Sequence, residues 1–291
     1  MAADPFFVIG DPGRAALEVP PGLPPARVGP ADAELSSATM PGMVIRAAST
    51  RGVLHRATGT VRQDAFALGH QAVSGEPEMA VAVVCDGVGS LDRSDEAAVF
   101  VSRRLAELGA AGVPWPEAFT RTNDELSKAA GLDEAACRPA MATTAVAVTV
   151  RPDGDDWVGE VAWVGDSMLW HLGQDGAWSP LTVAGLDDGF DYYSSAVRPL
   201  PSGDGGCEWC GFRVHRGALF LMTDGVSNPL RWSHEVRDML AGWWGQPPAP
   251  FTFAAQVGFA RKTHMDDRTV VGIWPEGGGQ ECGSARPALG S

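Results

Sequence analysis

The sequence predicts an α+β layered fold with antiparallel sheets. Two observations carry this. Val-rich apolar runs follow one another with short strand-to-strand connections, and segments of helical spacing come in adjacent pairs rather than alternating one by one with strands. The chain has 291 residues, 45% of them hydrophobic and 20% charged. That leaves enough apolar mass for a sizeable core and excludes a fully disordered chain.

The elements follow in order. Residues 1–42 are rich in Pro and Gly and show no period of 2 or 3.6, so they read as a flexible or loosely docked arm. Met43–Ala48, Ala65–Gly69 and Met79–Cys85 read as strands, apolar and bounded by Gly, Asp or Pro. Ala97, Val101, Leu105 and Leu108 then fall on one helical face, with Ser94 placed as N-cap and Asp95 and Glu96 in the first turn. Trp115, Phe119 and Leu126 line a second helix. Thr144–Val150, Trp157–Val164, Met168–Leu172 and Ala218–Thr223 read as further strands. Residues 233–244 and 252–263 suggest another helix pair, and Thr269–Trp274 a last strand. Residues 275–291 read as a disordered tail. There is no internal repeat.

Charge and cysteines exclude several classes. The net charge is −14, and only Lys128 and Lys262 are lysines, so the chain lacks the basic footprint of a partner for nucleic acid or anionic membrane. The start lacks a basic n-region and a long apolar h-region, and no apolar run approaches the ~20 residues that span a bilayer. The expected compartment is therefore the cytoplasm. Five cysteines, an odd and sparse set, argue against a disulfide framework. Cys207 and Cys210 form a CxxC, but no second pair has zinc-finger spacing, so two free thiols are expected there even with His215 near. The adjacent Trp243 and Trp244 suggest either a docking patch or burial, burial being commoner. No Walker A, GxSxG or HExxH pattern occurs.

The chemistry lies in aspartates at strand ends. VAVVCDGVGS ends an apolar strand at Asp86-Gly87, ALFLMTDGVS ends another at Asp224-Gly225, and VAWVGDSMLW places Asp166 in a tight connection between two strands. Asp64 precedes the strand AFAL, and Asp266-Asp267 precede TVVGIW. Taken singly, each Asp-Gly reads as a plain turn. Several carboxylates at strand mouths, with no Cys/His cluster beside them, suit a hard, oxygen-preferring cation such as magnesium or manganese.

The segments QDAF, VVCDGVGS, MATTAVAV, VGDSMLW, LFLMTDGVS and DDRTVV, in that order between about Met43 and Trp274, resemble the metal-dependent protein phosphatases, the type 2C Ser/Thr phosphatases. The stretch SxRGxxHxxxGxxxQDA from Ser49 to Ala65, followed by DGVGS, most resembles a bacterial branch of that family. The resemblance implies a four-layer α-β-β-α sandwich for residues 43–274. It also implies metal roles. Asp86 would bridge two ions, Gly87 would offer its backbone carbonyl, and Asp224 and Asp266 would complete the set, with Asp267 the alternative to Asp266. Asp64 would lie in the same acidic cluster as a direct or water-mediated ligand, and Asp166 would hold a third ion. Thr143 and Thr144 would be structural. Residues 174–210 would form a variable flap, with Asp187, Asp188 and Asp191 on a solvated face.

Three positions depart from the family's best-known pattern: Gln63 for a Glu, Gly59 for a phosphate-gripping Arg, and Val88 for a His proposed as general acid. Arg62 and His55 are the candidates for the vacated phosphate role, Arg62 sharing a strand face with Asp64 if both belong to one strand. Their bland alternatives are a surface arginine and a loop histidine. The expected function is hydrolysis of phosphoserine or phosphothreonine in proteins by a water activated at a two-metal manganese or magnesium centre, opposite a cognate Ser/Thr kinase. The competing readings are a catalytically silent phosphatase-like module that binds a phosphoprotein or regulates a partner, and a hydrolase of a small phosphoester.

Overall fold

The computed structural model describes residues 7–19, 22, 29–72, 78–89, 91–132, 134–182, 199–203 and 205–276. The chain begins with a short helix α1 (Gly13–Glu18), then the hairpin β1 (Ala33–Met40) and β2 (Met43–Thr50). A second short helix α2 (Val53–Thr58) leads to β3 (Ala65–Gln71) and β4 (Met79–Cys85). Helices α3 (Ser94–Ala110), α4 (Trp115–Ala130) and α5 (Glu134–Ala140) follow, then β5 (Ala145–Asp153), β6 (Asp156–Val164), β7 (Met168–Leu172) and β8 (Trp178–Pro180). The chain ends with β9 (Glu208–His215), β10 (Ala218–Met222), α6 (Asp224–Trp232), α7 (His234–Trp244), α8 (Pro250–Val257) and β11 (Arg268–Pro275).

The strands form two antiparallel sheets, ordered β1-β2-β11-β10-β7-β8 and β3-β4-β5-β6-β9. Their side chains alternate between two cores, which explains why the central strands are apolar throughout. On β4, Ala80, Ala82 and Val84 face the other sheet, while Val81, Val83 and Cys85 face helices. On β10, Leu219 and Leu221 face inward, while Phe220 and Met222 face the opposite helices. One core therefore lies between the sheets, a second beneath α3 and α4 (Val101, Leu105, Phe119, Leu126), and a third beneath α6–α8 (Leu230, Leu240, Phe253). This is the four-layer α-β-β-α order. Trp244 is buried, stacked on Phe220 at 5.3 Å, and its indole N–H donates to Gln256, so it belongs to the core.

Several expectations are corrected. The arm ends early. Residues 33–40 form β1, hydrogen-bonded along β2, and Ile9 is 1% exposed in the third core. Val8 bridges Ala260, and Lys262 N–H donates to the Asp11 carbonyl. As an edge strand β1 alternates exposed and half-buried positions and carries few apolar residues, so its periodicity is weak. Ser94 does not cap α3: Arg93 holds the cap position, and the Ser94 hydroxyl donates back to the Leu91 carbonyl. The helix expected over 252–263 spans 250–257. Strand β11 reaches Pro275, and Glu276 pairs with Gly42 through its N–H and carboxylate, so the tail does not begin at 275. Residues 277–291, with Cys282, and the flap residues Asp187, Asp188 and Asp191 lie outside the described residues. Cys207, just before β9, packs toward the α3–α4 core and Cys210, within it, toward the inter-sheet core, so the two thiols do not share a face.

Candidate metal centre

Strand register gathers the aspartates. Ala65 pairs with Cys85, so Asp64, entering β3, and Asp86, leaving β4, share one end of their sheet. Met222 pairs with both Met168 and Val270, so Asp224, Asp166 and Asp266 share one end of the other. Thr50 pairs with Arg268, which brings Arg51 and Gly52 to that same end.

The Asp86 carbonyl accepts from Thr144 N–H and the Thr143 hydroxyl, both at 2.8 Å. Asp64 is 2% exposed, and its Oδ2 accepts from the Thr223 hydroxyl at 2.8 Å. Asp224 opens α6, where Asn228 one turn on donates to its Oδ2 at 3.2 Å. Its Oδ1 is buried with no hydrogen-bond partner among the described residues. Asp166 is exposed in the turn after Gly165, which sits at φ +91°. Asp266 is exposed, its Oδ1 accepting from Asp267 N–H at 2.9 Å.

The cluster is electrostatically unbalanced. Burial raises Asp64 well above the usual carboxylate range, and the charges of Asp267 and Asp266 add to it. Burial raises Asp86 likewise, with Asp64, Asp224, Asp266 and Asp166 contributing. Asp224 is pushed up to about 6 by burial and by the Asp166 and Asp266 charges. Each of these groups disfavours ionisation of the next. Arg268 is a nearby buried cation; burial lowers it to about 10, partly offset by Asp266, Asp267 and Asp224. Its guanidinium is taken up by the Gly225 and His264 carbonyls and lies 4.3 Å over the Phe259 ring.

An all-oxygen donor set, mutually raised carboxyls and an orphaned buried Oδ1 on Asp224 fit a hard divalent cation such as Mg²⁺ or Mn²⁺. Asp86, Asp224, Asp64, Asp266 and Asp166 are the carboxylates here that could offer such donors, though among the described residues only His55, Asp266 and Asp267 already bring ligand atoms within 4.8 Å of one another.

Two expected site residues stand elsewhere. Arg62 is 1% exposed; it donates to the Ser49 carbonyl at 3.1 Å and pairs with Glu34 of β1 at 2.7 Å. Residues 61–64 lie ahead of β3 rather than in it, so the shared strand face with Asp64 does not exist. A guanidinium occupied on β1 has no free fork for phosphate. His55, buried in α2, has its Nδ1 2.9 Å from Asp267 Oδ1. Burial lowers its pKa, but the Asp267 contact and the Asp267 and Asp266 charges outweigh this and raise it. His55, Asp266 and Asp267 offer ligand atoms within 4.8 Å of one another. Both Asp267 oxygens, however, already accept backbone N–H groups at 2.6 Å, from Gly52 and from Gln63. Gly59 caps α2 at φ +74°, a left-handed conformation that disfavours arginine there. Sequence reasoning missed Thr223, Asn228 and Arg268, whose roles rest on contacts distant in the chain or one helical turn away.

The family model for protein phosphatase 2C matches residues 51–250. Curated protein sequences return no match. Among solved structures, a bacterial serine phosphatase is similar at TM-score 0.53 and 14% identity, over 86% of this chain and 99% of that one. A serine/threonine phosphatase of S. agalactiae is similar at TM-score 0.57 and 15% identity, over 83% and 99%. The PP2C phosphatase domain, with a regulatory-domain fragment, of SpoIIE from Bacillus subtilis is similar at 0.52 and 14%, over 84% and 63%. At these identities the likeness is one of fold. No helix among the described residues is long and apolar enough to cross a membrane.

Proposed function

This chain belongs to the protein phosphatase 2C family, and from that premise we propose that it hydrolyses phosphoserine and phosphothreonine in proteins at a two-ion manganese or magnesium centre. The observation that carries the reading is the gathering of Asp64, Asp86, Asp166, Asp224 and Asp266 at one end of the sandwich, with a buried Asp224 oxygen that has no hydrogen-bond partner among the described residues.

In this reading Asp86 would hold both ions, with the Gly87 carbonyl beside it, Asp224, Asp266 and Asp64 would complete the donor set, and Asp166 would hold a third ion. When bound, the ions supply the acidity that deprotonates a water and the positive charge that meets the phosphoryl oxygens. The chain's own groups hold the donors in place. Thr223 fixes Asp64, Thr143 and Thr144 fix the backbone at Asp86, and Asn228 turns Asp224 so that Oδ1 stays free. Arg62, engaged by the Ser49 carbonyl and Glu34, is not a phosphate contact in this reading. The partners are a phosphorylated protein and the Ser/Thr kinase that produces it.

The silent-module reading rests on Gln63, Gly59 and Val88. The conformational reason for Gly59 removes one of its supports. Turnover of p-nitrophenyl phosphate with and without manganese separates the two. Manganese-dependent turnover supports the enzyme, and none under either condition supports the module. Comparing phosphopeptides with small phosphorylated metabolites tests the substrate class.

A further inference from the structure

We propose that Asp267, braced by His55, is the positioning residue of the acidic centre and not one of its ligands. The inference rests on the metal-centre reading above.

Asp267 stands one residue away from three of the aspartates, along three separate segments. Its own N–H donates to Asp266 Oδ1 at 2.9 Å. Its Oδ2 accepts the N–H of Gln63, the neighbour of Asp64, at 2.6 Å. Its backbone carbonyl lies against Gly225, the neighbour of Asp224, where a Cβ would fall 1.9 Å from that oxygen. The remaining oxygen, Oδ1, accepts Gly52 N–H at 2.6 Å and faces His55 Nδ1 at 2.9 Å. Gly52 in turn packs on Asp266, since a Cβ there would lie 2.2 Å from the Asp266 carbonyl carbon. The Gln63 carbonyl extends the chain of contact to Gly87, beside Asp86, with a Cβ-to-oxygen approach of 2.7 Å. One carboxylate thus ties the segments entering α2, β3 and β11.

A group with both oxygens committed to backbone N–H donors is poorly placed to ligate, but well placed to set where Asp64 and Asp266 sit. His55 Nδ1 stands against Oδ1 as an ion-pair contact rather than a hydrogen bond. Its backbone carbonyl accepts from Arg51, which also bonds the Gly22 carbonyl and Asp32 and so ties α2 to the N-terminal segment. In Asp267→Asn, an amide NH₂ would face a backbone N–H, donor against donor.

The test is Mn²⁺ binding to chelator-stripped protein by calorimetry, for the wild type, Asp267→Asn and His55→Gln, with thermal unfolding of the metal-free forms and steady-state kinetics at saturating Mn²⁺. A positioning role predicts dissociation constants for Mn²⁺ raised roughly 10- to 100-fold, as is usual when groups behind the ligands are lost. The KM for a phosphopeptide at saturating Mn²⁺ should stay unchanged. If Asp267→Asn does not fold, His55→Gln carries the test alone. Wild-type affinity in the folded variants overturns the proposal, as does unchanged Mn²⁺ binding with a raised phosphopeptide KM, which would make His55 a phosphate contact. A wild type that binds no Mn²⁺ overturns the metal-centre reading itself, and the positioning role with it.

Discussion

The Thr223 hydroxyl donates a 2.8 Å hydrogen bond to Asp64 Oδ2, and so ties the end of β10 in one sheet to the entry of β3 in the other. The Thr223 hydroxyl oxygen in turn accepts Thr269 N–H at 3.0 Å, and the Thr269 hydroxyl meets that of Ser49 at 2.6 Å. All of these side chains except the Asp64 carboxylate come from the six-stranded sheet or its immediate end, and all are buried. Thr223→Val removes the bond to a carboxylate and leaves a buried N–H without its acceptor. The expected loss is ~1–3 kcal/mol of stability together with weaker Mn²⁺ binding. Chemical denaturation and Mn²⁺ titration of the variant check both, and wild-type values in both would remove Thr223 from the site.

Asp86→Asn is expected to be more damaging than Asp166→Asn. Asp86 is half-buried and feels the charge of four other aspartates, whereas Asp166 sits exposed in a turn. The kcat and the Mn²⁺ dependence of both variants decide this. Equal losses, or a larger one for Asp166, would reverse the assignment.

The raised pKa of Asp224 gives the metal-free protein a pH dependence with a definite sign. Folded, the group titrates at about 6; unfolded, an Asp titrates near ~3.9. Between those values the folded chain holds a proton that the unfolded chain releases, so this contribution to stability is full below the window and falls as pH rises through it. Asp64 and Asp86, also raised, act in the same sense. In EDTA, the Tm of the wild type should fall from pH 4 to pH 7 relative to Asp224→Asn, and Mn²⁺ affinity should rise through the same window as protons leave the ligands. Parallel Tm profiles for the two proteins would contradict it.

Arg62→Ala is expected to act on stability and not on substrate. The side chain is buried against the Ser49 carbonyl and paired with a half-exposed Glu34. Its loss should cost ~1–3 kcal/mol, roughly 2–4 °C in Tm for each kcal/mol in a chain of this size. The phosphopeptide KM should be unchanged; a raised KM with an unchanged Tm would return Arg62 to phosphate binding.

The eight strands read from sequence are all present, because β4, β5, β10 and β11 are apolar on both faces and announce themselves as continuous runs. Strands β1, β8 and β9 were not legible. All three are edge strands with alternating exposure, and all sit in segments whose Gly and Pro content reads as loop. Helix α6 was hidden for another reason: it starts on Asp224 itself and contains Pro229, so its first turn looks like a turn after a strand. In the site, the aspartates were legible as carboxylates at strand mouths. The fate of Arg62 was not, since its partner Glu34 lies 28 residues away on a strand that the sequence conceals. Asp267 and Asp266 were indistinguishable as neighbours in the chain; the two backbone N–H donors aimed at Asp267 separate them.

Phosphate release from a phosphothreonine peptide, measured after exhaustive EDTA treatment and again after adding manganese, bears most directly on the acidic centre as the seat of catalysis. Release should vanish with the chelator, return with manganese, and fail to return in Asp86→Asn. Release that survives chelation, or that Asp86→Asn retains in full, would contradict the two-ion centre.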